Sequence, residues 1–156
     1  MLAKEYKDIN VLEATKKRLE YVFDEFDNIM VSISGGKDSE VLCYLALQEA
    51  RKRGRKIGIF FLDEEVVYQS TIEMVEYLMS MYPENTNRFW VQIPFNLSNS
   101  TSYTDNQLHA WEQAKKPVWM HKRSSKNILN KTWSHKTRVS NKLKGFGFYD
   151  LLYNFE

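Results

Sequence analysis

The spacing of apolar residues along this chain switches between a helical and an extended period, and the switches mark the elements. Over 10–27, Leu12, Leu19, Val22, Phe23 and Phe26 recur at helical spacing, and Asn10 with Glu13 forms a capping pair. A strand over 28–32 follows. Over 38–53 the helical period returns with Val41, Leu42, Leu45, Ala46 and Ala50. That helix closes on Arg51, Lys52 and Arg53 at its negative pole, with Gly54 as the residue beyond its end. Residues 57–62 are an unbroken apolar run, as expected for a strand covered on both faces, so two parallel strands joined by a helix form a right-handed βαβ unit. A third helix over 68–82 places Ile72, Val75, Leu78 and Met79 on one face and stops at Pro83. A third strand over 88–93 is closed by Pro94. The three strands predict the spatial order 3-2-1 of a mononucleotide-binding half-fold. The expected class is therefore α/β: a three-layer Rossmann-like domain with a mainly parallel sheet and helices on both faces.

After Pro94 the period is weaker. Residues 96–106 are rich in Ser, Asn and Thr and predict a loop. Residues 105–113, with His109 and Trp111, predict a short helix, and 117–120 a short strand. A helix over 125–143, with Ile128, Leu129, Trp133 and Val139 inward, ends at the glycines of 145–149. No internal repeat marks a second domain, so residues 1–156 are expected to form one, with its core over about 10–97 and a basic segment over 98–156.

The first strand runs through Met30, Val31, Ser32 and Ile33 into Ser34, Gly35, Gly36, Lys37, Asp38 and Ser39, then directly into a helix. Glycines at such a junction let backbone N–H groups converge on an anion, and the helix start adds its unpaired N–H groups and positive dipole end. Lys37 brings a full charge, and the Ser34 and Ser39 hydroxyls can bond phosphate oxygens. Asp38 would repel phosphate directly, so it either caps the helix or helps to hold magnesium. A Walker A loop is excluded, because its first glycine and its Ser or Thr would fall on Val31 and Asp38; the G-x-G-x-x-G fingerprint is also absent. Asp63, Glu64 and Glu65 follow the second strand and would face the same crevice, beyond the carboxyl ends of the strands. There Asp63 or Glu64 could bond a ribose hydroxyl or share magnesium, while backbone groups of Phe61 and Leu62 could read the adenine edge.

Charge and cysteine usage narrow the setting. The net charge is only +2, yet 113–149 contains no acidic residue. The same stretch carries Lys115, Lys116, Lys122, Arg123, Lys126, Lys131, Lys136, Arg138, Lys142 and Lys144. The asymmetry suggests a surface for nucleic acid or for the nucleotide itself, with a solvated lysine-rich face as the plain alternative. Cys43 is the single cysteine, which rules out a disulfide scaffold within one chain. It sits where a small side chain packs a helix on a sheet, so it is read as a core thiol. No apolar run reaches about 18 residues, so no membrane span is expected. The absence of a secretory h-region points to the cytoplasm. His109, His121 and His135 lack metal spacing and are read as surface or partner contacts.

The string Ser34-Gly35-Gly36-Lys37-Asp38-Ser39 resembles the SGGxDS signature of the PP-loop (adenine nucleotide alpha hydrolase) superfamily. Together with 23–26, 49–58 and 90–97, it resembles the phosphoadenosine phosphosulfate (PAPS) reductase family, and within it a phage and prophage co-activator group. The resemblance covers about the first 100 residues. It implies that Ser34, Gly35, Gly36, Lys37, Asp38 and Ser39 hold phosphates, that Ser32, Phe61, Leu62 and Asp63 frame the adenosine, and that Asp38 and Asp63 are the candidates for magnesium. It further implies ATP, or a sulfonucleotide, as ligand. Cleavage of ATP between the α and β phosphates would follow, with Lys37 and Asp38 as the catalytic candidates. Two other functions stay open: a nucleotide-dependent regulator acting with DNA or a ParB/sulfiredoxin-like partner, and a sulfonucleotide reductase whose thiol comes from a partner, since no cysteine follows Cys43. A homo-oligomer is also left open.

Overall fold

The computed structural model describes residues 8–100 and 102–122. Helix α1 (Val11–Glu25) starts as its capping pair predicts, the Asn10 side chain accepting from the Glu13 amide at 2.9 Å. Its carboxyl end is held from elsewhere in the chain: the Arg55 guanidinium donates to the carbonyls of Phe23, Phe26 and Asp27. A cation on a helix's unpaired carbonyls satisfies acceptors and opposes the negative dipole end. Strand β1 (Met30–Ser32), helix α2 (Lys37–Lys52), strand β2 (Ile57–Leu62) and helix α3 (Gln69–Ser80) follow as the apolar periods predict. A single 3-10 turn (Pro83–Asn85) leads into strand β3 (Thr86–Val91). This strand begins two residues earlier than expected, because Thr86 pairs with Ile57 and extends the ladder along the whole of β2.

The three strands form one parallel sheet in the order β1-β2-β3, with Met30 opposite Gly58 and Phe61 opposite Trp90. The α/β class, the parallel sheet packed by helices and the 3-2-1 order agree with the Rossmann-like expectation, but among the described residues the three helices share one face and the other is covered by Ile93, Phe95, Ala110 and Trp111 instead of by helices. Side chains of a strand alternate between faces, and here that alternation separates two cores. Ile57, Ile59 and Phe61 of β2 join Phe23, Val31, Cys43, Ala46, Leu47, Ala50, Val75, Leu78 and Trp90 in the core shared with the three helices. Phe60 and Leu62 point the other way, to Val91, Ile93, Phe95, Ala110 and Trp111. Full burial of each such large side chain contributes about 1.5–3 kcal/mol, which is why β2, buried at every position, is the spine of the domain.

The second core is where the structure departs from the sequence expectations. The expected loop over 96–106 is shorter, its first three residues joining β4 (Phe95–Ser98), and the expected short helix over 105–113 is replaced by β5 (Gln107–Ala110); the two strands form an antiparallel hairpin with Phe95 opposite Ala110 and Asn96 opposite His109. Its turn is closed by the Asn99 amide on the Asn106 carbonyl and by the Asn99 side chain on the Asp105 carbonyl. Local Ser and Asn preferences for turns yield to the burial of Phe95, Ala110 and Trp111 against the sheet. The expected strand over 117–120 is likewise replaced by a 3-10 segment (Gln113–Val118) that ends where Trp119 donates its indole N–H to the Glu112 carbonyl. The expected helix over 125–143 and the glycines of 145–149 lie outside the described residues. Among those described, no helix is long and apolar enough to cross a membrane.

Candidate functional site

The turn between β1 and α2 is built by one residue that only glycine suits. Gly35 has φ +73°, and a Cβ there would stand 2.7 Å from Thr71 Cγ2 and 3.2 Å from the Thr71 carbonyl oxygen. The left-handed backbone and the close approach of α3 each require the missing side chain. Gly36, at φ −89°, is the N-cap of α2. The first amide inside the helix to find a carbonyl is that of Glu40, which donates to Gly36 O. The amides of Lys37, Asp38 and Ser39 thus precede the helical ladder and, with the dipole end, form a surface for an anion.

The loop's hydroxyls bond one another in this state. Ser39 Oγ donates to Gly36 O at 2.8 Å and accepts from the Ser34 amide at 3.2 Å, and Ser34 Oγ lies 3.2 Å from Ser39 Oγ. All three are exposed, and the two 3.2 Å contacts are long enough to be exchanged for other oxygens at small cost. Lys37 and Asp38 are both exposed in the first turn of α2. The capping alternative for Asp38 is corrected: no side chain caps this helix, and the loop is tied instead by Ser39.

Beside the turn lies a cleft of about 250 Å³ lined by Ser32, Ile33, Ser34, Ser39, Phe61, Leu62, Glu64 and Val67. Of the residues expected to frame an adenosine, Ser32, Phe61 and Leu62 line it, together with the loop serines. The parallel pairing of β1 with β2 sets Ser32 opposite Phe60, which brings the loop and the end of β2 to one crevice. Cleft volumes for drug-sized ligands run from about 300 to 1,000 Å³. At about 250 Å³ this cleft lies just below that range, with the exposed turn beside it.

Asp63 has a different place. It is wholly buried, and its carboxylate accepts from four donors: the Glu65 amide at 3.0 Å, Trp90 Nε1 at 2.8 Å, Gln92 Nε2 at 2.7 Å and His121 Nε2 at 3.1 Å. Its own carbonyl accepts from Trp111 Nε1 at 2.6 Å, and its amide donates to Val91 O. Four donors saturate a carboxylate, so nothing of Asp63 is left for a ribose hydroxyl or an ion. Among the described residues, no group of three His, Cys, Asp or Glu side chains gathers for a metal.

Sequence reasoning did not foresee the partners of Asp63. Trp90, Gln92, Trp111 and His121 come from β3, its extension, the end of β5 and the stretch after the 3-10 segment, 27 to 58 residues away. One signal was present: Gln92 is a polar residue between the apolar Val91 and Ile93, and a buried amide needs a partner. Glu65 and Trp111 both have positive φ (67° and 56°), and the Glu65 carboxylate accepts from the Trp111 amide, so two strained backbones brace each other. His121, read as a surface contact, packs edge-on against Trp111 at 5.1 Å. Glu64, by contrast, is exposed at the cleft, and burial together with the Asp63 charge raises its carboxyl above the ordinary range.

Cys43 is wholly buried in the helix-side core, and burial pushes its thiol up to about 11. A thiol so placed is neutral and shielded, as expected of a packing residue. Of the basic stretch, Lys115 pairs with Glu112 at 2.8 Å, while Lys116 and Lys122 are exposed. His135 and the basic residues from Arg123 to Lys144 lie outside the described residues.

Comparison with known proteins bears on the whole of this region. Residues 28–141 match the family model described as the phosphoadenosine phosphosulfate reductase domain. The chain is also similar to the uncharacterized protein YbdN of Escherichia coli (strain K12), with 34% identity over 105 residues. That match takes in 67% of this chain and 26% of YbdN, so the chain corresponds to about a quarter of that relative's length. No solved structure matches.

Proposed function

This chain belongs to the phosphoadenosine phosphosulfate reductase domain family, and from that membership we propose that its cleft binds an adenine nucleotide and directs cleavage of ATP between the α and β phosphates. One observation carries the reading. The loop serines and the end of β2 line a single cleft, next to a helix start whose amides precede the helical ladder. In this arrangement Ile33, Phe61 and Leu62 hold the base and sugar, while the amides of Lys37, Asp38 and Ser39 meet the phosphates.

The chemistry asked of the chain is electrostatic. An acceptor oxygen forms a bond to the α phosphorus, the bond to the bridging oxygen breaks, and pyrophosphate leaves with that electron pair. The acceptor's proton passes to solvent, and a second nucleophile, water where no other is present, then breaks the acceptor–phosphate bond and releases AMP. The Lys37 ammonium and the turn's N–H groups stabilise the charge that grows on the leaving pyrophosphate. Asp38, exposed in the same turn, is the carboxylate this reading assigns to a magnesium ion carried in by the phosphates. Cys43 takes no part, because it is buried away from the cleft. A reductase reading would need a thiol from elsewhere.

Incubation with α-labelled ATP and magnesium, with and without DNA or RNA, tests the proposal. The expected products are AMP and pyrophosphate, lost in Lys37→Ala. Release of ADP alone overturns cleavage at the α–β bond. Saturable binding with no product favours the second reading, a nucleotide-sensing regulator. In that role the basic residues from Lys115 onward would engage DNA with steep salt dependence, and a ParB/sulfiredoxin-like protein would be sought as partner.

A further inference from the structure

The cleft lies beside the helix start of α2, with its N–H groups and the exposed Lys37. The lining residue that carries a charge is Glu64, and among the described lining residues there is no lysine, arginine or histidine. Glu64 also makes no ion pair among the described residues. Partial burial, and after it the adjacent Asp63 charge, raises its carboxyl above the ordinary range, and Glu64 brings the one formal charge among the described lining residues. A carboxylate there accepts hydrogen bonds from hydroxyl or amino groups and repels a second anion. If the phosphates lie over the turn and the base lies against Phe61 and Leu62, the sugar comes between them, within the field of Glu64.

We propose that Glu64 is a specificity-determining residue that makes the cleft select adenine nucleotides with free ribose hydroxyls and reject those bearing a ribose 3′-phosphate. The inference rests on the adenine-nucleotide reading of the same cleft and adds the class of nucleotide to it. It also sets this chain apart from what its family's name suggests, since phosphoadenosine phosphosulfate carries that 3′-phosphate. Nucleotides of the accepted class include ATP, AMP and adenosine 5′-phosphosulfate.

Calorimetric titration of the full chain and of Glu64→Gln with AMP and with adenosine 3′,5′-bisphosphate decides the matter, because the two ligands differ by the 3′-phosphate alone. Glu64 is exposed, so the variant is expected to fold. In the unaltered chain AMP is expected to bind at least about tenfold tighter than the bisphosphate. In Glu64→Gln the ratio should close to within about threefold, chiefly because the bisphosphate gains affinity. Equal or tighter binding of the bisphosphate to the unaltered chain overturns the proposal, as does a preference for AMP that survives in Glu64→Gln. Binding of neither ligand to either protein overturns the nucleotide reading itself, a different outcome from a failure of selectivity alone.

Discussion

The carboxyl ends of β1 and β2 lie side by side in one sheet, and they use polar residues in opposite ways. After β1, the donors of the glycine turn face outward, and its serines are tied by long, exposed bonds. After β2, the Asp63 carboxylate draws four donors inward and is sealed from water. The first end leaves its polar groups exposed, while the second spends its polarity on holding the hairpin, β3 and the 119–121 stretch to the sheet. Proximity to a strand's carboxyl end marks a crevice, but satisfaction of hydrogen-bonding capacity separates a ligand contact from a strut.

The contrast is open to breaking from its larger side. Asp63→Ala should strand the indole of Trp90 and the Glu65 N–H in the interior, costing about 3–5 kcal/mol in urea denaturation. Asp63→Asn, which keeps an acceptor oxygen, should lose less. A cost below about 1 kcal/mol for the alanine variant would show that Asp63 is no strut.

Gly35→Ala comes next, with an expected loss of about 1–3 kcal/mol and of nucleotide binding. The cost combines a left-handed backbone with the Cβ that would meet Thr71 Cγ2. Removing that methyl with Thr71→Ser should restore part of the stability. Gly36→Ala, with φ −89° and its nearest neighbour at 3.4 Å, should cost clearly less. Equal losses at the two glycines would refute the close-approach account.

Lys37→Ala should leave stability within about 0.5 kcal/mol, because the side chain is exposed. Its ATP affinity should nonetheless drop about tenfold or more by calorimetry, since an ammonium–phosphate bond is charge-assisted. Unchanged affinity would remove the turn from ligand binding.

The smallest effect concerns Cys43. Its thiol titrates near 9.0 when solvated and about 11 in the fold, so the folded state retains a proton that the unfolded state has lost between those values. The contribution is fully present below about pH 9, declines as pH rises toward 11, and is levelled above it. Denaturation curves of the native chain and Cys43→Ala from pH 8 to 11 should converge as pH rises. A constant gap would place the thiol in solvent.

The sequence determined by itself whatever depends on short-range order. The helical stripes of α1, α2 and α3 and the apolar run of β2 were legible because each is a pattern that neighbouring residues share, and the order of the sheet followed from the handedness of the βαβ crossover. So was the glycine turn with Ser34 to Ser39, since strand, turn and helix start are contiguous. Only the tertiary structure decided the rest. Phe95, Ala110 and Trp111 make a hairpin worthwhile where Asn and Ser argued for a loop, because the gain lies in burial against β2 and β3. Asp63 and Glu64 are adjacent acidic residues with the same local chemistry. One is enclosed by donors brought from as far as His121 and the other stays at the cleft, a division set by distant partners that no local pattern encodes.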